Sequence, residues 1–208
     1  MKKTYHEKIT KEAIASLVSN RALEVIVTAN LGQDALRFQI GHDHFHYDSN
    51  AFARGDAYLE SQHALIQSGM SQGEPLAAWQ AFGRLSHAAH DFYAHSNYVA
   101  LWLARQNGAN PNPEDIEPLD HGILASPALR SGKPHVFDLL LYLNSLPSSW
   151  LKLVPEDSHL AMNIDGPERL HFKYAFSAAV KRTRIEFKRV VEFLPADLVR
   201  VFTDLQPD

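Results

Sequence analysis

The stretch "PLAAWQAFGRLSHAAHDFYAHSNYVALWLARQ", residues 75–106, is the longest helical segment that the sequence predicts. Its apolar residues recur at helical spacing, and Pro75 stands at the start, where a helix tolerates proline. Similar amphipathic patterns predict helices over residues 6–19, 51–70 and 166–194. No convincing pair of strands occurs. The sequence therefore predicts one all-α domain over residues 1–208, built as a bundle of long helices.

The remaining segments carry weaker patterns. Residues 21–31 predict a short helix, although their β-branched residues leave a strand open. Glycine and polar residues predict irregular chain over residues 32–50 and 107–133, and an apolar run predicts a short helix over residues 134–146. Asp165 is expected to cap the last long helix.

Composition excludes several classes of site and partner. The chain has 12 histidines and no cysteine, so a metal would need His, Asp, Glu or Asn ligands. The net charge of −4 argues against a global basic field and a stable nucleic-acid partner. No signal peptide is apparent, and no apolar run is long enough for a transmembrane segment. We expect a cytoplasmic protein, or export by a non-classical route.

The central helix carries the most informative constellation. His87, Asp91 and His95 follow one another in steps of four, so they project from one stripe of the helix. A buried carboxylate between imidazoles needs a compensating charge, and a divalent cation supplies it. Core histidines satisfied by hydrogen bonds are the alternative. His90 lies beside the stripe and is expected in the core or in a second sphere rather than among the ligands.

Further histidines and carboxylates could complete such a site, and they suggest more than one metal ion. They are His6, His42, His44, His46, Asp48, His63, His121, His159, Asn163, Asp165 and His171. Spacing alone does not choose among them.

Three segments resemble the superfamily of zinc-dependent phospholipase C and P1-type nucleases, and most closely its Het-C (heterokaryon incompatibility) family. They are "HYDSNAFARGD" at residues 46–56, "GRLSHAAHDFYAHSNYV" at 83–99 and "NIDGPERLHFKYAFSAAV" at 163–180. The central segment is the most specific, and the resemblance spans about residues 6–180. It implies an α-helical bundle with two or three Zn²⁺ ions at the bottom of a cleft.

The resemblance also implies a set of metal ligands, with Asp91 bridging two ions. The set is His6, Asp48, His63, His87, Asp91, His95, His121 and Asp165. Asp48 and Asp91 are the residues expected to take part in catalysis.

This sequence departs from the family pattern at two points. The secreted enzymes use a processed N-terminal Trp as a ligand, whereas residue 1 here is Met. The third ion normally takes a His and an acidic residue one helical turn on; His159 and Asn163 have the spacing without the carboxylate, so Asp165 is chosen with His121.

The resemblance implies hydrolysis of a phosphodiester, in a phospholipase C-like reaction with a multinuclear, metal-activated water. The substrate would be a phospholipid or a nucleotide. A P1-type single-strand nuclease is one alternative. A metal-stabilised interaction scaffold without enzymatic activity is another. The sequence does not indicate the oligomeric state.

Overall fold

The computed structural model describes residues 1–39, 41–133 and 155–205, and the regular secondary structure in these ranges is helical, without named strands. The helices are α1 (Lys3–Ile14), α2 (Asn20–Gly32), α3 (Leu36–Gln39), α4 (Phe52–Ser71), α5 (Pro75–His95), α6 (Tyr98–Ala104), α7 (His121–Leu124), α8 (His159–Met162), α9 (Phe172–Phe193) and α10 (Ala196–Thr203). The prediction of an all-α fold is confirmed.

Helix α5 is the centre of the bundle. It packs against α2, α4 and α9, and α1 closes the structure against α2 and α9. From Ala78 to His95 almost every residue of α5 is buried, including those on its polar stripe. A helix that is buried on all sides holds its polar residues in the interior, where they need partners.

Gly83 marks the closest approach of α5 to α2. A Cβ atom at this position would lie 2.3 Å from the carbonyl oxygen of Ile26 and 2.8 Å from the Cβ of Ala29. Only a residue without a side chain permits this backbone contact. The small residue on the stripe therefore sets the distance between two helices.

The predicted long helix breaks after His95. Ser96 adopts an extended conformation, with a ψ of 167°, and forms an isolated bridge with Ser131. The amide of Gly132 donates to the carbonyl of His95 at 2.9 Å, and the Asn97 amide donates to Arg130 at 3.0 Å. These bonds from a distant loop replace helical ones, so the chain restarts as α6.

The last long helix also differs from its prediction, because it begins at Phe172 after His171 in the left-handed region. The Arg169 guanidinium donates to the carbonyls of Asn163, Leu160 and Ala161, which holds the preceding chain in an irregular turn. The expected capping role of Asp165 is thus wrong.

Three other segments bear on the secondary structure predicted from the sequence. Residues 21–31 lie within α2, which resolves the choice between helix and strand. The C-terminal helix α10 was not expected; Trp79 Nε1 donates to the carbonyl of Phe202 at 2.7 Å and ties it to α5. The helix predicted over residues 134–146 lies outside the described residues.

No helix in the described ranges combines the length and the apolar character needed to cross a bilayer.

Candidate metal centre

The polar stripe of α5 forms the floor of the site. His87 is fully buried, Asp91 is 1% exposed and His95 is 5% exposed. The Nε2 atom of His87 lies 3.0 Å from Asp91 Oδ2, and His95 Nε2 lies 3.8 Å from Asp91 Oδ1. The stripe predicted from spacing is therefore intact, and it faces the interior of the bundle.

Helix α1 contributes His6, which is fully buried. Its ring stacks on that of His87 with centroids 4.2 Å apart, and its Nε2 lies 3.2 Å from Asp91 Oδ1. The contact of α1 with the central bundle thus completes one side of the site.

The turn between the short 3₁₀ segment Asp43–Phe45 and α4 contributes two further groups, His46 and Asp48. Tyr47, Ser49 and Asn50 all have φ of 55–56°, in the left-handed region that non-glycine residues seldom adopt. This winding brings His46 Nδ1 to 2.9 Å from Asp91 Oδ2.

A second group of candidate ligands surrounds Asp48. His159 Nδ1 lies 3.0 Å and His95 Nδ1 lies 3.3 Å from Asp48 Oδ1. Asp165 joins the group from the other side, with Oδ1 3.4 Å from His95 Nε2. The irregular turn before α9 is what places Asp165 here.

Asp91 occupies the centre, and its two oxygens face different neighbours. Oδ1 faces His6 and the Met1 amine, which lies 2.6 Å away, whereas Oδ2 faces His46 and His87. Burial alone would raise the pKa of Asp91, but the Met1 ammonium and nearby imidazoles hold that pKa well below its usual range. The carboxylate is therefore charged.

Asp48 and Asp165 are charged as well. Burial opposes the charge of Asp48, but His95 and His159 lower its pKa. The Met1 ammonium and His95 likewise lower the pKa of Asp165 against the effect of burial. The carboxylates raise the pKa of the Met1 amine to about 11 although burial opposes its charge.

The imidazoles divide into two kinds. Burial, with the neighbouring His87, lowers the pKa of His6 to about 3, and burial also lowers the pKa of His87. Neutral imidazoles are the form that binds metals. His95 is the opposite case: Asp91 and Asp48 raise its pKa well above the usual value in spite of burial.

Within the described residues, three sets of side chains meet the distance requirement for a metal ion, since the candidate ligand atoms within each set lie within 4.8 Å of one another. The sets are His6, Asp34 and His87; His46, His87 and Asp91; and Asp48, His95 and His159.

Two predicted ligands lie elsewhere. His63 is buried on α4, and its Nε2 pairs with Glu186 Oε2 at 2.7 Å, between α4 and α9. His121 is exposed at the start of α7, and none of the three sets found in the described residues includes it. The structure does not bring either residue to the cluster.

The sequence does not identify three members of the cluster as ligands. His46 is one of several histidines in the loop before α4. His159 has no carboxylate one helical turn further on, so spacing does not mark it as a ligand. Asp34 had no signal at all, because it follows α2 in a segment with no recognisable motif. Burial raises its pKa, and its Oδ1 lies 3.8 Å from His87 Nε2.

Glu186 is a buried carboxylate outside the cluster, and its contribution to stability can be tested separately. Its carboxylate accepts from His63 and, at 2.5 Å, from Arg182 Nε. Burial opposes its charge, but these two partners lower the pKa of Glu186 to about 2. We expect Glu186→Gln to reduce the free energy of unfolding by about 3 kcal/mol at pH 7, because it leaves buried partners uncompensated.

The effect depends on pH in a defined direction. Because the folded-state pKa of Glu186 lies below its ordinary value of 4.5, its contribution is present above pH 4.5 and is lost towards pH 2. Urea titrations at several pH values should show that the difference in unfolding free energy between wild type and Glu186→Gln shrinks as the pH falls from 4.5 towards 2. Glu192→Gln, an exposed change on the same helix, is the control. A constant difference from pH 7 to pH 3 would contradict the assignment.

A known protein family matches the part of the chain that carries most of the site. The model of the VWA7 N-terminal domain matches residues 3–113, more than half of the 208 residues. The chain belongs to the VWA7 N-terminal domain family. The matched residues include α1 to α6, and with them His6, His46, Asp48, His87, Asp91 and His95.

The second group draws on chain beyond the family match, since His159 and Asp165 follow residue 113. Searches of curated proteins and of solved structures return no significant match to this chain.

Proposed function

We propose that this protein is a zinc-dependent phosphodiester hydrolase of the phospholipase C type. The observation that carries the proposal is the convergence of buried imidazoles and carboxylates on Asp91. They come from α1, α5 and the turn before α4, and Asp165, between α8 and α9, contacts His95 and the Met1 amine beside them. Helices and loops so far apart in sequence rarely place this many ionisable groups together in an interior without a function.

The donors present fit zinc. All are imidazole nitrogens and carboxylate oxygens, and the two oxygens of Asp91 face two different groups of histidines. The buried atoms His6 Nε2 and His46 Nε2 have no hydrogen-bond partner. Buried polar atoms without partners are destabilising by about 1–3 kcal/mol each, and ligation to a cation would remove that penalty.

The proposed ligands fall into two groups. Asp91 with His6, His46, His87 and Asp34 would hold one part of the zinc cluster, and Asp48, His95, His159 and Asp165 would hold the other. Zinc bound there would supply a Lewis acid that lowers the pKa of water and neutralises charge on phosphoryl oxygens. The low pKa of Asp48 suits a charged ligand better than a proton acceptor.

The same proposal includes the finer fold, a phospholipase C/P1 nuclease-like bundle. It is supported by the resemblance of residues 83–99 to the family helix and by the position of residues 83–95 of that segment in the central helix α5. The helical architecture is compatible with it.

A phospholipid or a small phosphoester is favoured over single-stranded nucleic acid. The one basic run of the sequence lies on α9, and its side chains are engaged within the chain. Lys181 donates to the carbonyls of Glu114 and Ile116, Arg184 to that of Glu12, and Arg189 pairs with Glu60. A basic track for phosphates would need these cations free.

Burial of the site favours one alternative from a different class, a metal-stabilised scaffold without activity. His6, His87 and Asp91 are at most 1% exposed, and structural zinc sites are closed in this way. His159 and Asp165, with side chains 26% and 24% exposed, are the open side on which substrate access would depend.

Zinc reconstitution followed by a substrate panel tests the proposal. We expect two or three zinc ions per chain by elemental mass spectrometry, and zinc-dependent cleavage of a chromogenic choline phosphodiester. Cleavage of single-stranded DNA or RNA instead would favour the nuclease. Zinc-dependent folding without hydrolysis of any substrate would favour the scaffold, and a folded chain that takes up no zinc would overturn the metal centre altogether.

A further inference from the structure

His90 lies beside the metal centre but is not one of its ligands. It is fully buried on α5, with Nδ1 3.0 Å from His6 Nδ1 and Nε2 2.9 Å from Thr183 Oγ1 on α9. His6 is the ligand candidate from α1. A continuous hydrogen-bonded chain therefore runs from α9 through α5 to α1.

The Thr183 hydroxyl sets the direction of this chain. Its proton is donated to the carbonyl of Ala179 at 2.8 Å, so its oxygen is left to accept from His90 Nε2. A neutral imidazole carries one N–H, so His90 Nδ1 then has a lone pair. Both ring nitrogens of His90 have uncharged partners, and a buried imidazolium there would have no counter-charge in contact.

The two Nδ1 atoms, 3.0 Å apart, need one proton between them. With a lone pair on His90 Nδ1, that proton belongs to His6 Nδ1. The lone pair of His6 is then on Nε2, which lies 3.2 Å from Asp91 Oδ1 but forms no hydrogen bond. This is the tautomer that can bind a metal through Nε2.

We propose that Thr183 and His90 act as positioning residues that hold His6 in the Nδ1–H tautomer, with Nε2 presented to the metal centre. The ligand role of His6 in this inference rests on the proposed function. In the opposite order of donors, Thr183 would donate to His90, and His90 to His6. His6 Nε2–H would then point at Asp91, where no aligned hydrogen bond exists.

Two-bond ¹H–¹⁵N correlation spectra of metal-free, ¹⁵N-histidine-labelled wild type test the order of donors without any variant. We expect a protonated Nδ1 and an unprotonated Nε2 for His6, and the reverse for His90. A protonated His6 Nε2 would overturn the inference. If the expected tautomers occur in a chain that takes up no zinc, the donor order stands, whereas the proposed function and the ligand role fall.

Thr183→Val tests the consequence, and Thr183→Ser is its matched control because it keeps the hydroxyl. Removing an outer partner of a ligating histidine typically weakens metal binding by about 10–100-fold. We expect a loss of that size for Thr183→Val in zinc competition with a chelator, with mixed His6 tautomers, and a change under about threefold for Thr183→Ser. Equal zinc affinity and unchanged tautomers in both variants would contradict the positioning role.

Discussion

Asp91→Asn is expected to lower the zinc content from two or three ions per chain to fewer than about one. The carboxylate lies in the middle of the cluster, with one oxygen facing His6 and the other facing His46 and His87. An asparagine of the same shape carries no charge and exposes an NH₂ group to one side. Elemental mass spectrometry after dialysis against defined zinc measures the loss, and calorimetry gives the affinity.

Asp197→Asn is the control for this experiment, because it makes the same chemical change at an exposed position in the first turn of α10. Circular dichroism of both variants separates loss of ligation from loss of fold. Full zinc content in a folded Asp91→Asn chain would mean that the ions bind elsewhere, and the assignment of the cluster around Asp91 would have to be abandoned.

Gly83→Ala is expected to reduce the free energy of unfolding by about 3 kcal/mol, at the upper end of the usual range for overpacking. The added methyl would lie 2.3 Å from the Ile26 carbonyl oxygen, and a backbone atom cannot rotate away as a flexible side chain does. Helices α2 and α5 would have to separate. Because Gly83 is one turn before His87, that movement would also disturb the histidine stripe.

Urea denaturation with a chelator present measures this effect without a contribution from bound zinc. Gly32→Ala is the matched control: it lies in α2, the partner helix, and a Cβ there has no atom within 4 Å. We expect the control to stay within about 1 kcal/mol of wild type or to gain slightly from helix propensity. Equal stability of the two variants would show that α2 and α5 can adjust at no cost.

The match to the VWA7 N-terminal domain family covers one part of the proposed metal centre. The matched residues 3–113 hold Asp91 and the groups that face it from α1, α5 and the turn before α4. His159 and Asp165 come from the chain that follows. Zinc titration of His159→Ala would therefore show how far the second group contributes beyond the ligands in the matched part.

Some features were predictable because they depend on local geometry. Residues four apart on a helix share a face, so His87, Asp91 and His95 had to form a stripe wherever α5 was placed. The resemblance of several segments to the phospholipase C/P1 nuclease superfamily pointed to His6, Asp48 and Asp165 as companions, and the structure brings all three to this stripe.

Other features depended on how the helices pack. His63 resembled a ligand, but the face of α4 that carries it meets α9, and it pairs with Glu186 there. His46 could not be separated from His42 and His44 by spacing. The left-handed residues of the turn decide which of them points inward, and the sequence shows no glycine there to announce them.

By itself, the sequence determined the helical class, the central helix and its polar stripe, because hydrophobic periodicity and side-chain spacing act over a few residues. The tertiary structure alone decided that Asp34 and His159 join the cluster, that His63 and His121 do not, and that Thr183 reaches His6 through His90. Periodicity states which residues share a face. Which faces meet depends on close packing between helices, including the backbone contact at Gly83, and that is a property of the whole chain.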